Sequence, residues 1–269
     1  MARDGVVLSS RGRIGRTGMV AAPRRFDQAP PAMIDLYFWP TPNGQKVSIM
    51  LEETGLEYRV HPVNILRGEQ FRRSFLRLSP NNKIPVIVDT PGPGRKPHTL
   101  FESGTILQYL ADRSGRLLPR RGPSRWDTLQ WLNFQVANVG PMFGQCGHFL
   151  GYAPRRIPYA IDRYRNETLR LYAVMDRRLG ESEYLAGRYS IADIATWPWV
   201  DVRWLHRIDL EQFPNVKRWY EAVGSRRAIK RGMALLADRA KIGDPDEETR
   251  EVFFGHTQLN QGRRGKESR

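Results

Sequence analysis

One cysteine, Cys146, is all that 269 residues contain. An internal disulfide is excluded, and no Cys/His cluster at zinc-ligand spacing stands in for one. The five histidines (His61, His98, His148, His206, His256) are scattered, and each reads as structural or solvated rather than as a metal ligand. No run approaches the roughly 18 consecutive apolar residues of a membrane span. No charged-then-apolar leader with a small-residue cleavage site opens the chain, so the expectation is a soluble cytoplasmic protein with no membrane partner. Acidic residues are also scarce, 28 against 43 basic ones, for a formal charge of +15.

That charge raises nucleic acid as a partner, and its distribution argues against it. Residues 1–32 hold six arginines against Asp4 and Asp27, residues 238–269 balance to zero, and the rest of the excess is spread over the body as pairs such as Arg72/Arg73 and Arg177/Arg178. No helix-turn-helix or aromatic RNA-binding signature accompanies them. A solvated basic surface that attracts small anions is the simpler reading.

Residues 1–32, rich in glycine, proline and arginine, read as a disordered basic extension, with Met33 as a candidate translation start. From Ile34 strand and helix patterns alternate. Strands are expected over 34–39, 58–65, 84–89 and 98–101, and helices over 45–54, 69–78 and 103–114, with Gly55 ending the first. Pro91-Gly92-Pro93-Gly94 reads as a turn. A β-α-β unit, two closely spaced strands and a helix imply a small mixed sheet covered by helices over residues 33–117. Residues 116–123 read as a linker. Beyond it strand signals stop, and helices are expected over 124–145, 154–180, 190–205, 214–225 and 226–237, an all-helical second domain over 123–237. Ser190 and Asp193 form a capping box, read as a folding signal. From Lys241 the chain reads as a loose polar tail within 238–269.

Three places suit chemistry. Thr41-Pro42-Asn43-Gly44 is a strand-to-helix corner whose amides can meet an anion or a thiolate, although it contains no cysteine. Pro85 sits at the front of a strand inside the sheet; a cis Ile84-Pro85 bond would leave the Ile84 backbone free to pair with a peptide-like ligand, and a trans proline at a strand end is the alternative. Glu102-Ser103-Gly104 opens a helix, with Ser103 at its N-cap offering amides to a carboxylate and Glu102 a charge to an ammonium. Together the last pair suits an amino-acid head group.

In this order, the segments 37–46, 78–85 and 100–103 resemble the glutathione transferase superfamily. More narrowly they resemble its nu class, the bacterial glutathione-dependent disulfide-bond oxidoreductases, and the likeness extends over about residues 33–237. The resemblance implies a thioredoxin-like first domain, an all-helical second domain, a homodimer, and glutathione as co-substrate. It places Thr41 and Asn43 at the glutathione sulfur, the Ile84 backbone along the cysteinyl unit, Glu102 and Ser103 at the γ-glutamyl end, and Gln70 and Arg163 as further polar contacts, with Lys46 as a neighbour that raises the local positive potential.

Donors at the corner would favour the thiolate of a ligand whose free pKa is about 8.5. With no thiol in the turn, a mixed disulfide with a turn residue is excluded, and Cys146 reads as inert packing. The expected activity is exchange with small-molecule disulfides. Attack on an electrophilic carbon or aryl ether, and a non-catalytic glutathione-binding regulatory module, are the alternatives. Trp126, Trp131, Phe134, Met142, Phe143 and Phe149 are the candidates for lining the second-substrate pocket.

Overall fold

The computed structural model describes residues 33–239 and 246–259. The expected extension over 1–32 lies outside the described residues.

Four strands, β1 (Met33–Phe38), β2 (Tyr58–Pro62), β3 (Val86–Thr90) and β4 (His98–Phe101), form one mixed sheet in the order β2-β1-β3-β4. β1 runs parallel to β2, as a strand-helix-strand crossover through α1 (Pro42–Thr54) requires. The pairs β1/β3 and β3/β4 are antiparallel. β1 alternates strictly, with Ile34, Leu36 and Phe38 buried. The helix expected over 69–78 is broken into a 3-10 turn, Glu69–Phe71, and a single turn, α2 (Arg73–Leu76). α3 (Ser103–Ser114) closes this half, pinned to β3 through Asp89, which accepts from Tyr109 and pairs with Arg113.

The helical half comprises α4 (Pro123–Phe134), α5 (Gly140–Gly147), α6 (Pro158–Glu181), α7 (Ile191–Asp201), α8 (Arg203–His206), α9 (Pro214–Gly224) and α10 (Arg227–Ala234). The single helix expected over 124–145 is interrupted by a π-turn, Gln135–Val139. Pro141 has no N–H to return to the preceding turn, so the ladder widens there and Gly140 N–H bonds the Gln135 carbonyl instead. The capping box at Ser190 and Asp193 forms, and Asp193 also accepts from Leu185 N–H and the Trp219 indole.

One apolar core runs through both halves, and α1 is its centre: every residue from Gly44 to Leu51 is buried. Two glycines permit that position. A Cβ at Gly44 would lie 2.3 Å from the Trp39 carbonyl oxygen, and one at Gly232 would lie 2.7 Å from the Ile49 backbone. α10 therefore docks backbone to backbone on α1, and Ser48 Oγ donates to the Gly232 carbonyl at 2.8 Å. Gly232→Ala is expected to destabilise the protein by about 2 kcal/mol, measured by chemical denaturation, because neither backbone can retreat without opening the core.

Over its described part the expected loose tail is corrected: Glu247–Phe254 forms a helix, α11, followed by a 3-10 turn, His256–Leu259, while 240–245 and 260–269 lie outside the described residues. Asp246 caps it by accepting from Thr249 N–H at 2.8 Å, and Glu247 and Glu248 occupy the first turn, where negative charge favours a helix. Those signals, followed by the apolar Val252-Phe253-Phe254, are legible in the sequence and were outweighed by the polarity of the flanks.

Candidate functional site

Ile84 divides two adjoining cavities. One, of 260 Å³, is lined by Asn43, Ser79, Asn81, Lys83, Ile84, Pro85, Phe101, Glu102 and Ser103. The other, of 210 Å³, is lined by residues that include Thr41, Asn43, Ile65, Gln70, Ile84, Trp199, Phe253 and Gln258. The Ile84-Pro85 bond is cis, and so is Thr90-Pro91, which the sequence reading leaves as an ordinary turn. Pairing of β3 with β1 begins only at Val86, and no hydrogen bond among the described residues uses the Ile84 N–H or C=O. An extended peptide laid along Ile84 would find both groups free.

The corner before α1 presents two oriented donors. Thr41 is the N-cap, and its Oγ1 accepts from Gly44 N–H at 3.3 Å, which leaves its own proton to point away from the helix. Asn43 Oδ1 accepts from the Trp199 indole N–H at 3.1 Å. An indole can only donate, so it holds the carbonyl end of Asn43 and leaves the Nδ2 protons to serve the cavity. This tie crosses from α7 to α1 and fixes a side chain of the first half with a residue of the second. Trp199→Phe is expected to lower kcat/KM for any turnover at this corner about tenfold by releasing that amide, in a steady-state assay.

At the other end Glu102 takes φ 68°, a left-handed conformation that a glutamate adopts only when its surroundings impose it. It occupies the N-cap of α3 without making a side-chain cap, and Ser103 is the first helical residue rather than the cap expected from the sequence. The first amides of α3 therefore remain available to an anion. Lys46 is buried beneath them. Its Nζ donates to Gln135 Oε1 at 2.6 Å and to Ser103 Oγ at 3.3 Å. Burial pulls the ammonium down to about 7, a shift that nearby Glu102 opposes. The π-turn is what delivers Gln135 to it, and a Cβ on Gly140 would come within 3.0 Å of Gln135 Nε2.

Gln70 is buried beside the smaller cavity; its Nε2 donates to the Ile65 carbonyl at 3.2 Å, and its Oε1 has no partner. Arg163, on α6, lines neither cavity, and its guanidinium lies 4.0 Å from Glu167. Of the aromatic candidates for the second-substrate pocket, none lines these cavities. Phe143 is core, stacked on Tyr172 at 4.9 Å, while Trp131 and Phe134 line a separate 450 Å³ cavity. The aromatic residues that line the smaller cavity are Trp199 and Phe253. Cys146 is buried, and burial pushes its thiol up, away from the range of a reactive thiolate.

Comparison with known proteins bears on this arrangement. The family model described as glutathione S-transferase, N-terminal domain, matches residues 41–113, and that described as glutathione S-transferase, C-terminal domain, matches residues 158–222. The chain is 54% identical over 214 residues to the disulfide-bond oxidoreductase YfcG of Escherichia coli, spanning 79% of this chain and 98% of that protein. The chain belongs to the glutathione S-transferase family. Within that family, a transferase from Pseudomonas putida solved with one glutathione disulfide per subunit superposes with a TM-score of 0.73 at 45% identity, covering 79% of this chain and 96% of the other. A member from Pseudomonas fluorescens with two glutathiones bound gives 0.72 at 47% identity, covering 78% and 95%. The mixed sheet followed by a helical half is thus the glutathione S-transferase fold expected from the sequence.

Proposed function

We propose that this protein is a glutathione-dependent disulfide-bond oxidoreductase acting on small-molecule disulfides. The observation that carries the reading is the unpaired Ile84 backbone, set between the donors of Thr41 and Asn43 on one side and the uncapped start of α3 on the other. A γ-linked tripeptide thiol matches that sequence of groups. The α3 amides and Ser103 take its α-carboxylate, Glu102 its ammonium, and Ile84 its cysteinyl amide, while Gln70, whose Oε1 lacks a partner, meets the remaining length.

Glutathione, when bound, supplies the thiolate that opens a disulfide: one S–S bond forms as another breaks, and the departing thiolate takes up the proton that glutathione gave up. The protein's part is to favour the ionised sulfur. Thr41 Oγ1–H and Asn43 Nδ2 donate to it, and the start of α1 adds a positive field. No side-chain base is needed, since the thiol proton passes to solvent. Lys46, donating to Ser103 Oγ, holds that hydroxyl in place beneath the γ-glutamyl end. Arg163 carries the least support of the residues that the family resemblance suggests.

The P. putida and E. coli relatives support the same reading, one by the glutathione disulfide it holds and the other by its activity. Reduction of 2-hydroxyethyl disulfide by glutathione is the test: turnover with saturation in both substrates is expected. Absence of turnover there, with rapid conjugation of a halogenated aromatic, would make the protein a dedicated transferase. We further propose a cytoplasmic homodimer, for which light scattering should return twice the chain mass.

A further inference from the structure

The arginine-rich linker of residues 116–123 takes no part in the chemistry above, yet it walls a cavity of 750 Å³, larger than either cavity of the glutathione corner. The loop 186–190 that enters α7 and the first two turns of α4 supply the rest of the lining. These walls are firmly tied. Leu118 is buried, the Leu117 carbonyl accepts from Ile191 N–H at 3.1 Å, and Arg125 donates at 3.0 Å to both Asp112 and the Pro119 carbonyl. Leu117 itself sits at φ 68°, a conformation that a leucine keeps only under such constraint.

Charge decides what the cavity suits. Residues 116–125 contain four arginines and no acidic residue. Arg125 pairs with Asp112 and Arg116 donates to the Thr54 carbonyl, whereas Arg121, which lines the cavity, has no partner among the described residues. Arg188, which lines it from the loop, has none either. No acidic side chain is among the lining residues. Glu53, which accepts from the Tyr189 hydroxyl at 3.0 Å, has its charge matched by Arg226 at 2.7 and 3.0 Å. Two guanidiniums are thus left for an anion, and the planar fork of each fits two oxygens of a phosphoryl group. The Arg188 and Tyr189 amides also lack partners among the described residues. Leu117, Pro119 and Ala186 give an organic body an apolar wall, and 750 Å³ falls within the roughly 300–1,000 Å³ of small-molecule sites.

We propose that this cavity binds a phosphorylated organic compound of about nucleotide size, with Arg121 and Arg188 on its phosphate groups and the linker wall against its body. The site is separate from the glutathione corner, since no residue lining either cavity there recurs in it. A ligand held between residues 117–121 and 186–190 also joins the linker to the entry of α7, so its binding stabilises the folded chain.

Calorimetric titration of the full chain with ADP, fructose 1,6-bisphosphate and pyrophosphate, at about 0.15 M salt with and without saturating glutathione, tests this. One of the two organic phosphates is expected to bind at least about tenfold more tightly than pyrophosphate, and which one does so distinguishes a flat base from a sugar as the body. Arg121→Gln and Arg188→Gln should each weaken that binding about tenfold. Arg177→Gln removes the same charge from an exposed position on α6 that lines none of these cavities, and should leave the affinity unchanged. All three variants are expected to keep wild-type turnover of 2-hydroxyethyl disulfide. Unchanged affinity in both cavity variants, an equal loss in all three variants, or pyrophosphate bound as tightly as the organic phosphates overturns the proposal. Displacement by glutathione, which would put the anion in the glutathione corner, overturns it as well, as does the absence of binding by every probe at about 1 mM. None of these results touches the oxidoreductase reading, which the disulfide assay decides separately.

Discussion

Asn43→Ala is expected to lower kcat/KM for glutathione-dependent disulfide reduction by about two orders of magnitude, the usual cost of one donor aimed at developing or resident negative charge. The size follows from how the amide is held. Trp199 fixes its carbonyl, so the Nδ2 protons face the cavity without reorganising, and alanine removes both. Thr41→Ala should cost less, about tenfold, because the hydroxyl is also engaged with Gly44 N–H and the helix start it caps retains its field. The mechanism adds a second readout. A free thiol titrates near 8.5, so losing the donor moves the alkaline-rising limb of the pH–rate profile toward that value, by roughly one unit. Unchanged activity in both variants would instead leave a glutathione-binding module without chemistry.

Asp193→Ala is expected to remove about 4 kcal/mol of stability, a large share of the 5–15 kcal/mol typical of a folded domain. Asp193 is buried and accepts from Leu185 N–H at 3.1 Å, Trp219 Nε1 at 2.9 Å, and the N–H and hydroxyl of Ser190 at 3.0 and 3.1 Å. Alanine strands two backbone amides and an indole where water does not reach; only the serine hydroxyl can turn elsewhere. Asp193→Asn keeps one carbonyl acceptor and should lose about half as much, in urea unfolding at neutral pH. The wild type carries a further signature. Burial raises the Asp193 carboxyl from 3.8 to about 6, so the folded state holds this proton more tightly than the unfolded one. Its contribution therefore declines as pH rises between those values and is level above them, a slope that the asparagine variant lacks.

Several elements were legible because their signals are local. The strand at His98–Phe101 and the helix at Ser103–Ser114 appear with the bounds that their periodicity and the Glu-Ser start suggest. The capping box follows from four consecutive side chains and their own backbone. The π-turn was less so, although its cause, Pro141 inside a helical pattern, stands in the sequence: a missing N–H says that a ladder must adjust and leaves open whether it kinks or widens.

The sequence by itself determined which groups would be available: a corner without a thiol, a proline before a strand, an acidic residue and a serine opening a helix, and too little cysteine for any internal thiol chemistry. Each depends on neighbours a few residues away, where backbone geometry is set. Only the tertiary structure decided what orients and encloses them. Trp199 reaches Asn43 across 156 positions of the chain, Gln135 reaches Lys46 across 89, and Phe253 joins the same cavity from a segment whose polar flanks read as tail. Such contacts arise because burying α1 on all sides brings both halves of the chain against it, and no local pattern encodes which distant side chain fills a given gap.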